Sequence, residues 1–156
     1  MKIFNFLAVG AVSFGMLNLV SCSTKTESLT DDIMDELADA AEILNEDCEN
    51  WEDTQDAAED LNGIADNLHE ILLDLKKNRR KYEEEYLGMT PEEIKEIEKN
   101  MEEDHKETMK EFMAACEKFQ KNKEVCKSAS VQHALNRIDA EFRAISKIMS
   151  AIEDCD

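Results

Sequence analysis

The chain has 156 residues, of which 37 are Asp or Glu and 18 are Lys or Arg, so its formal charge is −19. This length suits one domain with one hydrophobic core. The excess of acids argues against nucleic acid as a partner, since neutralising phosphates requires surplus Lys and Arg. One Pro and four Gly argue against an all-β sandwich, which needs a turn about every ten residues.

The first 21 residues differ from the rest of the chain, because Lys2 is their only charged residue. A base ahead of an apolar stretch that ends in small residues is typical of a secretory signal peptide. The stretch ends in Leu-Val-Ser-Cys at residues 19–22, which resembles the lipobox of bacterial lipoproteins. That resemblance implies cleavage before Cys22 and acylation of its thiol and of the new amino group. The alternative interpretation is an uncleaved transmembrane anchor.

The same resemblance implies a place in the cell. Two acyl chains attach a protein stably to a membrane, whereas one gives only marginal binding. We therefore expect a lipid-anchored protein of the bacterial cell envelope, with residues 22–29 as the lipidated tether and residues 30–156 as the folded domain. Ser23 is similar to the residue that follows the acylated Cys in many outer-membrane lipoproteins, so the outer membrane is expected rather than the inner one.

Apolar residues recur at steps of three and four through the mature chain, and no stretch alternates with period two, so the sequence predicts an all-α protein. The predicted helices span residues 30–48, 52–86, 91–121 and 129–154, arranged as an antiparallel up-down-up-down bundle. The apolar pattern continues almost in phase through the break near Trp51. For that reason a long helical hairpin or a three-helix coiled coil is the alternative architecture.

The clearest break between helices follows Leu87. Gly88 suits the left-handed position after a helix end, Thr90 is a good N-cap, and Pro91 suits the first helical position. Glu93 can complete a capping box with Thr90. If the chain folds back at this turn, the two less certain breaks fall together at the other end of the bundle.

Four cysteines remain in the mature chain besides Cys22: Cys48, Cys116, Cys126 and Cys155. In an exported protein they predict up to two disulfides. The up-down-up-down bundle brings Cys48 close to Cys126, or to Cys116 if that helix ends early, and leaves Cys155 at the opposite end. The absence of a Cys-x-x-Cys motif argues against a redox-active site.

Two pairs of residues could bind a metal ion. Asp66 precedes His69 by three residues, and Glu102 precedes His105 by three residues. This spacing places a carboxylate and an imidazole on one helix face, as in carboxylate-bridged di-metal bundles. The hypothesis is a transition-metal site made by these four side chains. The alternative is that they belong to solvated helix faces, since acids are frequent throughout this chain.

The second predicted helix ends in a dense basic run, which consists of Lys76, Lys77, Arg79, Arg80 and Lys81. Cations near a helix C-terminus complement its dipole. The run also lies at the end of the bundle where the tether starts, and so it could face an anionic membrane. Acidic clusters at residues 46–60 and 83–85 could bind a cation loosely or a basic partner, or could be solvated helix faces. Neither has the spacing of an EF-hand loop.

The sequence gives no support for catalysis, because it has no Gly-rich phosphate loop, no GxSxG and no HExxH. We therefore expect a non-enzymatic module without a cofactor that binds a protein partner, and its acidic character suits a basic partner. The first alternative is a metal- or cation-binding envelope protein that uses His69 and His105. The second is an inhibitor or immunity-type protein, because small acidic exported proteins can inhibit basic partners.

Overall fold

A computed structural model describes residues 24–46, 54–121 and 128–153. The described chain forms four helices, which are α1 (Thr24–Glu46), α2 (Thr54–Leu87), α3 (Pro91–Lys121) and α4 (Ala129–Glu153). These residues contain no strand. The predicted all-α helical bundle is therefore confirmed, and α2, α3 and α4 begin and end close to their predicted bounds.

The first helix begins earlier than the sequence indicated. Residues 22–29 were expected to be a tether, but α1 already begins at Thr24. Leu29 is buried and takes part in the same core stripe as Ile33. Because Leu29 anchors the first turns of α1 to the bundle, the helix extends through the polar residues ahead of it. α1 therefore begins at Thr24 rather than at residue 30, where the sequence predicted its start.

The start of α3 has the predicted capping box. The backbone N–H of Thr90 donates to Oε2 of Glu93 at 2.8 Å, and the N–H of Glu93 donates to Oγ1 of Thr90 at 3.3 Å. Pro91 is the first residue of the helix, where its missing N–H costs nothing. The hydrogen bonds to Thr90 lower the pKa of Glu93, so this carboxylate caps the helix best above the usual pKa of Glu.

The end of α2 differs from its prediction. The N–H of Gly88 donates to the carbonyl of Glu85 at 3.1 Å, and the N–H of Met89 donates to the carbonyl of Tyr86 at 3.1 Å. These bonds reach back three residues, as in a tight last turn. No glycine in the described residues has a positive φ. The left-handed conformation predicted for Gly88 is therefore wrong, although the turn lies at the predicted position.

All four helices contribute to one hydrophobic core. On α2 the side chains of Leu61, Leu68 and Leu75 are fully buried at a spacing of seven residues. On α4 Ile138, Ile145 and Ile152 repeat the same spacing, which is typical of helices that pack in the manner of a coiled coil. Burial of each such side chain stabilises the fold by about 1.5–3 kcal/mol.

The polar contacts between helices define the register. Arg137 of α4 contacts Asp66 of α2, and Glu141 of α4 contacts His69 of α2. Residue numbers rise together in the two helices, so α2 and α4 run parallel. The extensive helix contacts join α2 to α4, α1 to α3, and α1 to α2. The two helices joined at Gly88 thus lie across the bundle from each other, which excludes a simple helical hairpin.

Candidate functional site

The outer face of α1 is a strongly acidic surface. No Lys or Arg occurs between Thr26 and Glu46. The α1 acidic face consists of six exposed acids: Asp31, Asp32, Asp35, Asp39, Glu42 and Glu46. Like charges four residues apart destabilise a helix by about 0.2–0.5 kcal/mol per pair, and acids in the last turn oppose the helix dipole. The α1 acidic face therefore lowers the stability of the isolated protein. A cationic partner that neutralised these charges would restore that stability.

One further acid of α1 points into the bundle. Glu36 Oε1 accepts a hydrogen bond of 2.9 Å from the side-chain amide of Asn67 on α2. Its other oxygen, Oε2, is buried and has no hydrogen-bond partner among the described residues. Burial, together with the negative charges of Asp39 and Asp35, raises the pKa of Glu36. At neutral pH the carboxylate of Glu36 therefore lies in an environment that disfavours its negative charge.

Sequence reasoning did not distinguish Glu36 from the other acids of α1. The available signal was its position three residues after Ile33 and four before Ala40, both of which are fully buried. This spacing places Glu36 on the core-facing side of the helix.

The structure gives two of the proposed metal ligands protein partners instead. Asp66 Oδ1 accepts a hydrogen bond from Nη2 of Arg137, and His69 Nδ1 lies 3.1 Å from Oε2 of Glu141. Arg137 also donates to the side-chain carbonyl of Asn62 at 2.7 Å. These contacts join α2 to α4, and sequence reasoning identified neither Arg137 nor Glu141.

The other two proposed ligands, Glu102 and His105, lie in α3, and their side chains are outside the described residues. The two motifs lie on consecutive helices, α2 and α3, which do not pack extensively on each other. Within the described part of the chain, no group of three or more His, Cys, Asp and Glu side chains is placed to hold a metal ion.

The basic run of α2 is partly neutralised within its own helix. Arg79 Nε lies 2.6 Å from a carboxylate oxygen of Glu83, and Arg80 Nε lies 3.0 Å from one of Glu84. Lys81 donates to the side-chain carbonyl of Asn78 at 3.1 Å. Lys76 and Lys77 are exposed.

The position of this run in the helix also differs from its prediction. Because α2 continues to Leu87, its last turn contains no base. The predicted match between the run and the helix dipole is therefore wrong, since the dipole acts mainly within the last turn.

Cys116 is the one candidate disulfide cysteine within the described residues. It is a free thiol, buried in the core face of α3, and burial raises its pKa to about 12. In this structure it packs as a small apolar side chain. Cys48, Cys126 and Cys155 lie outside the described residues, as does Cys22, so their predicted disulfides and acylation remain predictions.

The predicted signal segment, residues 1–21, also lies outside the described residues. Among the helices that are described, none has the length and apolar composition needed to cross a bilayer. Comparison of the chain with protein-family models, curated protein sequences and solved structures finds no match.

Proposed function

We propose that the chain is a lipoprotein of the bacterial envelope, acylated at Cys22, whose helical bundle binds a basic protein partner and catalyses no reaction. The observation that carries this proposal is the α1 acidic face. Its acids are held on a rigid helix whose opposite side is fixed by core residues such as Ile33 and Leu37. A preformed row of charges binds a partner with little loss of conformational entropy.

The distribution of ion pairs supports the same surface. Asp66 pairs with Arg137 between helices, and Asp139 pairs with Arg143 within α4. By contrast, the described residues contain no ion pair for four central acids of the α1 acidic face, which are Asp32, Asp35, Asp39 and Glu42. These carboxylates are available to a partner, and complementary charge would speed association and select against acidic competitors.

The start of α1 determines how close acylation would hold the bundle to a membrane. The helix begins at Thr24, two residues after Cys22. Acyl chains on Cys22 would therefore hold the bundle close to the bilayer surface. The resemblance to the lipobox, a motif in which an apolar leader and a Cys must coincide, supports acylation at this residue.

Acylation is tested by expressing the full chain and a Cys22→Ser variant in a bacterial host. We expect the parent to partition into the detergent phase and to float with membranes, and the variant to do neither. Mass spectrometry of the N-terminal peptide checks the modification directly. An unmodified Cys22 in a membrane fraction would contradict lipidation and favour an uncleaved anchor.

Partner binding is tested by cross-linking in native envelopes, followed by capture of the protein. The test variant replaces Asp32, Asp35 and Asp39 by Asn and Glu42 by Gln. A control variant with the same charge change alters four exposed acids on α2 and α3: Glu59, Glu70, Glu92 and Glu107. We expect the test variant alone to lose a cross-linked basic protein.

The pattern of losses decides between interpretations. Equal loss from both variants would indicate general electrostatic attraction rather than a defined face. Equal retention would refute the α1 acidic face as the binding surface. If the captured partner is a basic enzyme whose activity falls on binding, the inhibitor or immunity-type interpretation is favoured.

A further inference from the structure

A row of lysines runs along α3 in this strongly acidic protein. The α3 lysine row consists of Lys95, Lys99, Lys106 and Lys110, all of which are exposed. The described residues provide none of these four ammonium groups with an ion pair or a hydrogen bond. Elsewhere on the described surface, Arg79 and Arg137 have carboxylate partners, whereas Lys76, Lys77 and Lys147 are exposed without one.

The row occupies one side of its helix. At 3.6 residues per turn, the four lysines fall within a sector of about 60° around α3. Lys118 lies further round the helix by about 80° or more, and its ammonium group donates to the backbone carbonyl of Asn45 on α1. The lysine row therefore lies on the side of α3 that is turned away from α1 and its acidic face.

The register places one end of the row beside the proposed lipid anchor. Alternate helices of an up-down-up-down bundle run parallel, so α1 and α3 share one direction. Because Lys118 is level with Asn45, the start of α1 at Thr24 is level with the segment between Lys95 and Lys99. From Lys95 to Lys110 the row extends about 22 Å along the bundle axis, at about 1.5 Å per residue.

The turn at Gly88 projects beyond the anchor. The contact between Glu36 and Asn67 places Thr24 level with about residue 79 of α2, and α2 continues about 12 Å further to Leu87. Two residues span at most about 7 Å, which is less than the distance of about 12 Å by which α2 extends beyond the level of Thr24. Glu84 of α2 is exposed there, and a carboxylate is unfavourable among lipid headgroups and acyl chains.

We propose that the α3 lysine row docks on anionic lipid headgroups, so that the anchored bundle lies along the membrane on α3 and presents the α1 acidic face to solvent. This inference rests on the proposed acylation of Cys22. The negative surface potential attracts Lys side chains that lie within a Debye length, about 8 Å at physiological salt, of the membrane. The same potential repels the α1 acidic face. Attraction of the lysines and repulsion of the acids therefore both turn α3 toward the membrane and α1 away from it.

The first test is lysine acetylation footprinting of the acylated protein, reconstituted in vesicles of phosphatidylcholine with or without phosphatidylglycerol. On anionic vesicles we expect acetylation of Lys95, Lys99, Lys106 and Lys110 to slow by about threefold or more. The effect should disappear in 1 M NaCl, where the Debye length is about 3 Å. Lys147 on α4 provides an internal reference. Protection of Lys76 and Lys77 instead of the row would assign the contact to α2 and overturn the proposal.

The second test is the thickness of the protein layer on a supported anionic bilayer, measured by neutron reflectometry. A bundle that lies flat is about two helix diameters thick, or about 20–24 Å, whereas α2 alone is about 51 Å long. The row variant replaces its four lysines by Gln. A control variant with the same charge change replaces four exposed lysines of the other helices and of α3: Lys76, Lys77, Lys121 and Lys147.

We expect a thin layer for the parent and for the control variant, and a layer at least about 1.5-fold thicker for the row variant. A thick layer for the parent, or the same thickness for both variants, would overturn docking through the row. Protein that washes off the bilayer would show instead that the acyl anchor is absent. That result would overturn the proposed anchoring, whereas a thick layer that stays on the bilayer would overturn only docking through the row. The two failures are therefore distinguishable.

Discussion

The ammonium group of Lys118 on α3 donates a hydrogen bond of 2.8 Å to the backbone carbonyl of Asn45, in the last turn of α1. The last four carbonyls of a helix have no partner within the helix, and α1 has no base of its own in that turn. A neighbouring helix therefore supplies the cation that α1 lacks. This contact also fixes α1 and α3 in register at the end of the bundle opposite the Gly88 turn.

Replacing Lys118 by Met should lower the free energy of unfolding by about 0.5–1 kcal/mol, because the cation at the helix end and its hydrogen bond are both lost. Met retains most of the apolar stem, so the loss reports the charge. Urea unfolding followed by circular dichroism measures the effect. Lys110→Met is the matched control, since Lys110 is exposed on the same helix. Equal stability of the two variants would contradict a capping role.

Gly63 lies in the interior of α2, on its exposed side. A Cβ built at this position has no atom within 4 Å. Gly63→Ala should therefore stabilise the protein by about 1 kcal/mol, because Ala loses less backbone entropy and has a higher helix propensity. The midpoint of thermal unfolding measures the gain. The reverse change at an exposed helical alanine, Ala140→Gly, should destabilise the protein by a similar amount.

If Gly63→Ala leaves the stability unchanged or lowers it, the backbone of α2 near this residue is not helical in solution. In that case circular dichroism of the parent would also show less helix than the structure contains.

The fold was largely predictable because its determinants are local. The buried residues of α2 and α4 recur at helical spacing, and the capping box at Thr90 and Glu93 requires only neighbouring residues. Gly88 was predicted incorrectly because two kinds of helix end suit the same glycine. One uses a left-handed residue, and the other continues the right-handed turn with bonds that reach back three residues. The residues around Gly88 suit both kinds of helix end, so they do not show which kind is formed.

The candidate site was less predictable because its contacts join distant parts of the chain. Asp66 and His69 could be recognised as a pair from their spacing, but their partners on α4, Arg137 and Glu141, lie 71 and 72 residues away. Those partners depend on which helices become neighbours. Local spacing predicts that helices form and which side is buried, whereas the order of helices around the core depends on packing among all of them.

Glu36 makes the stability depend on pH in a defined direction. Burial raises its pKa in the folded state above the unfolded value, so the folded protein binds this proton more tightly. The resulting stabilisation is complete below the unfolded pKa of Glu and is lost as the pH rises through the higher, folded value. At pH 7, Glu36→Gln should therefore stabilise the protein by roughly 0.5 kcal/mol, the scale of a partly screened charge.

The measurement is urea unfolding of the parent and of Glu36→Gln at several pH values between 4 and 7. The two should converge toward low pH, where the parent carboxyl is protonated. Gln can still accept the hydrogen bond from Asn67, so that contact is retained. Glu42→Gln is the control, because Glu42 is exposed on the same helix. A constant difference between parent and Glu36→Gln over this range would contradict the buried carboxylate.

Cys116 should resist alkylation while the protein is folded. Its side chain is buried in α3, and burial raises the pKa of the thiol to about 12, whereas the thiolate is the reactive form. At pH 8 the reaction with iodoacetamide should be at least about 100-fold slower in the native protein than in urea. Peptide mapping by mass spectrometry under non-reducing conditions follows this residue separately from the other cysteines. A disulfide between Cys48 and Cys116 would contradict the free thiol, and it would require the end of α3 to open so that the sulfur leaves the core.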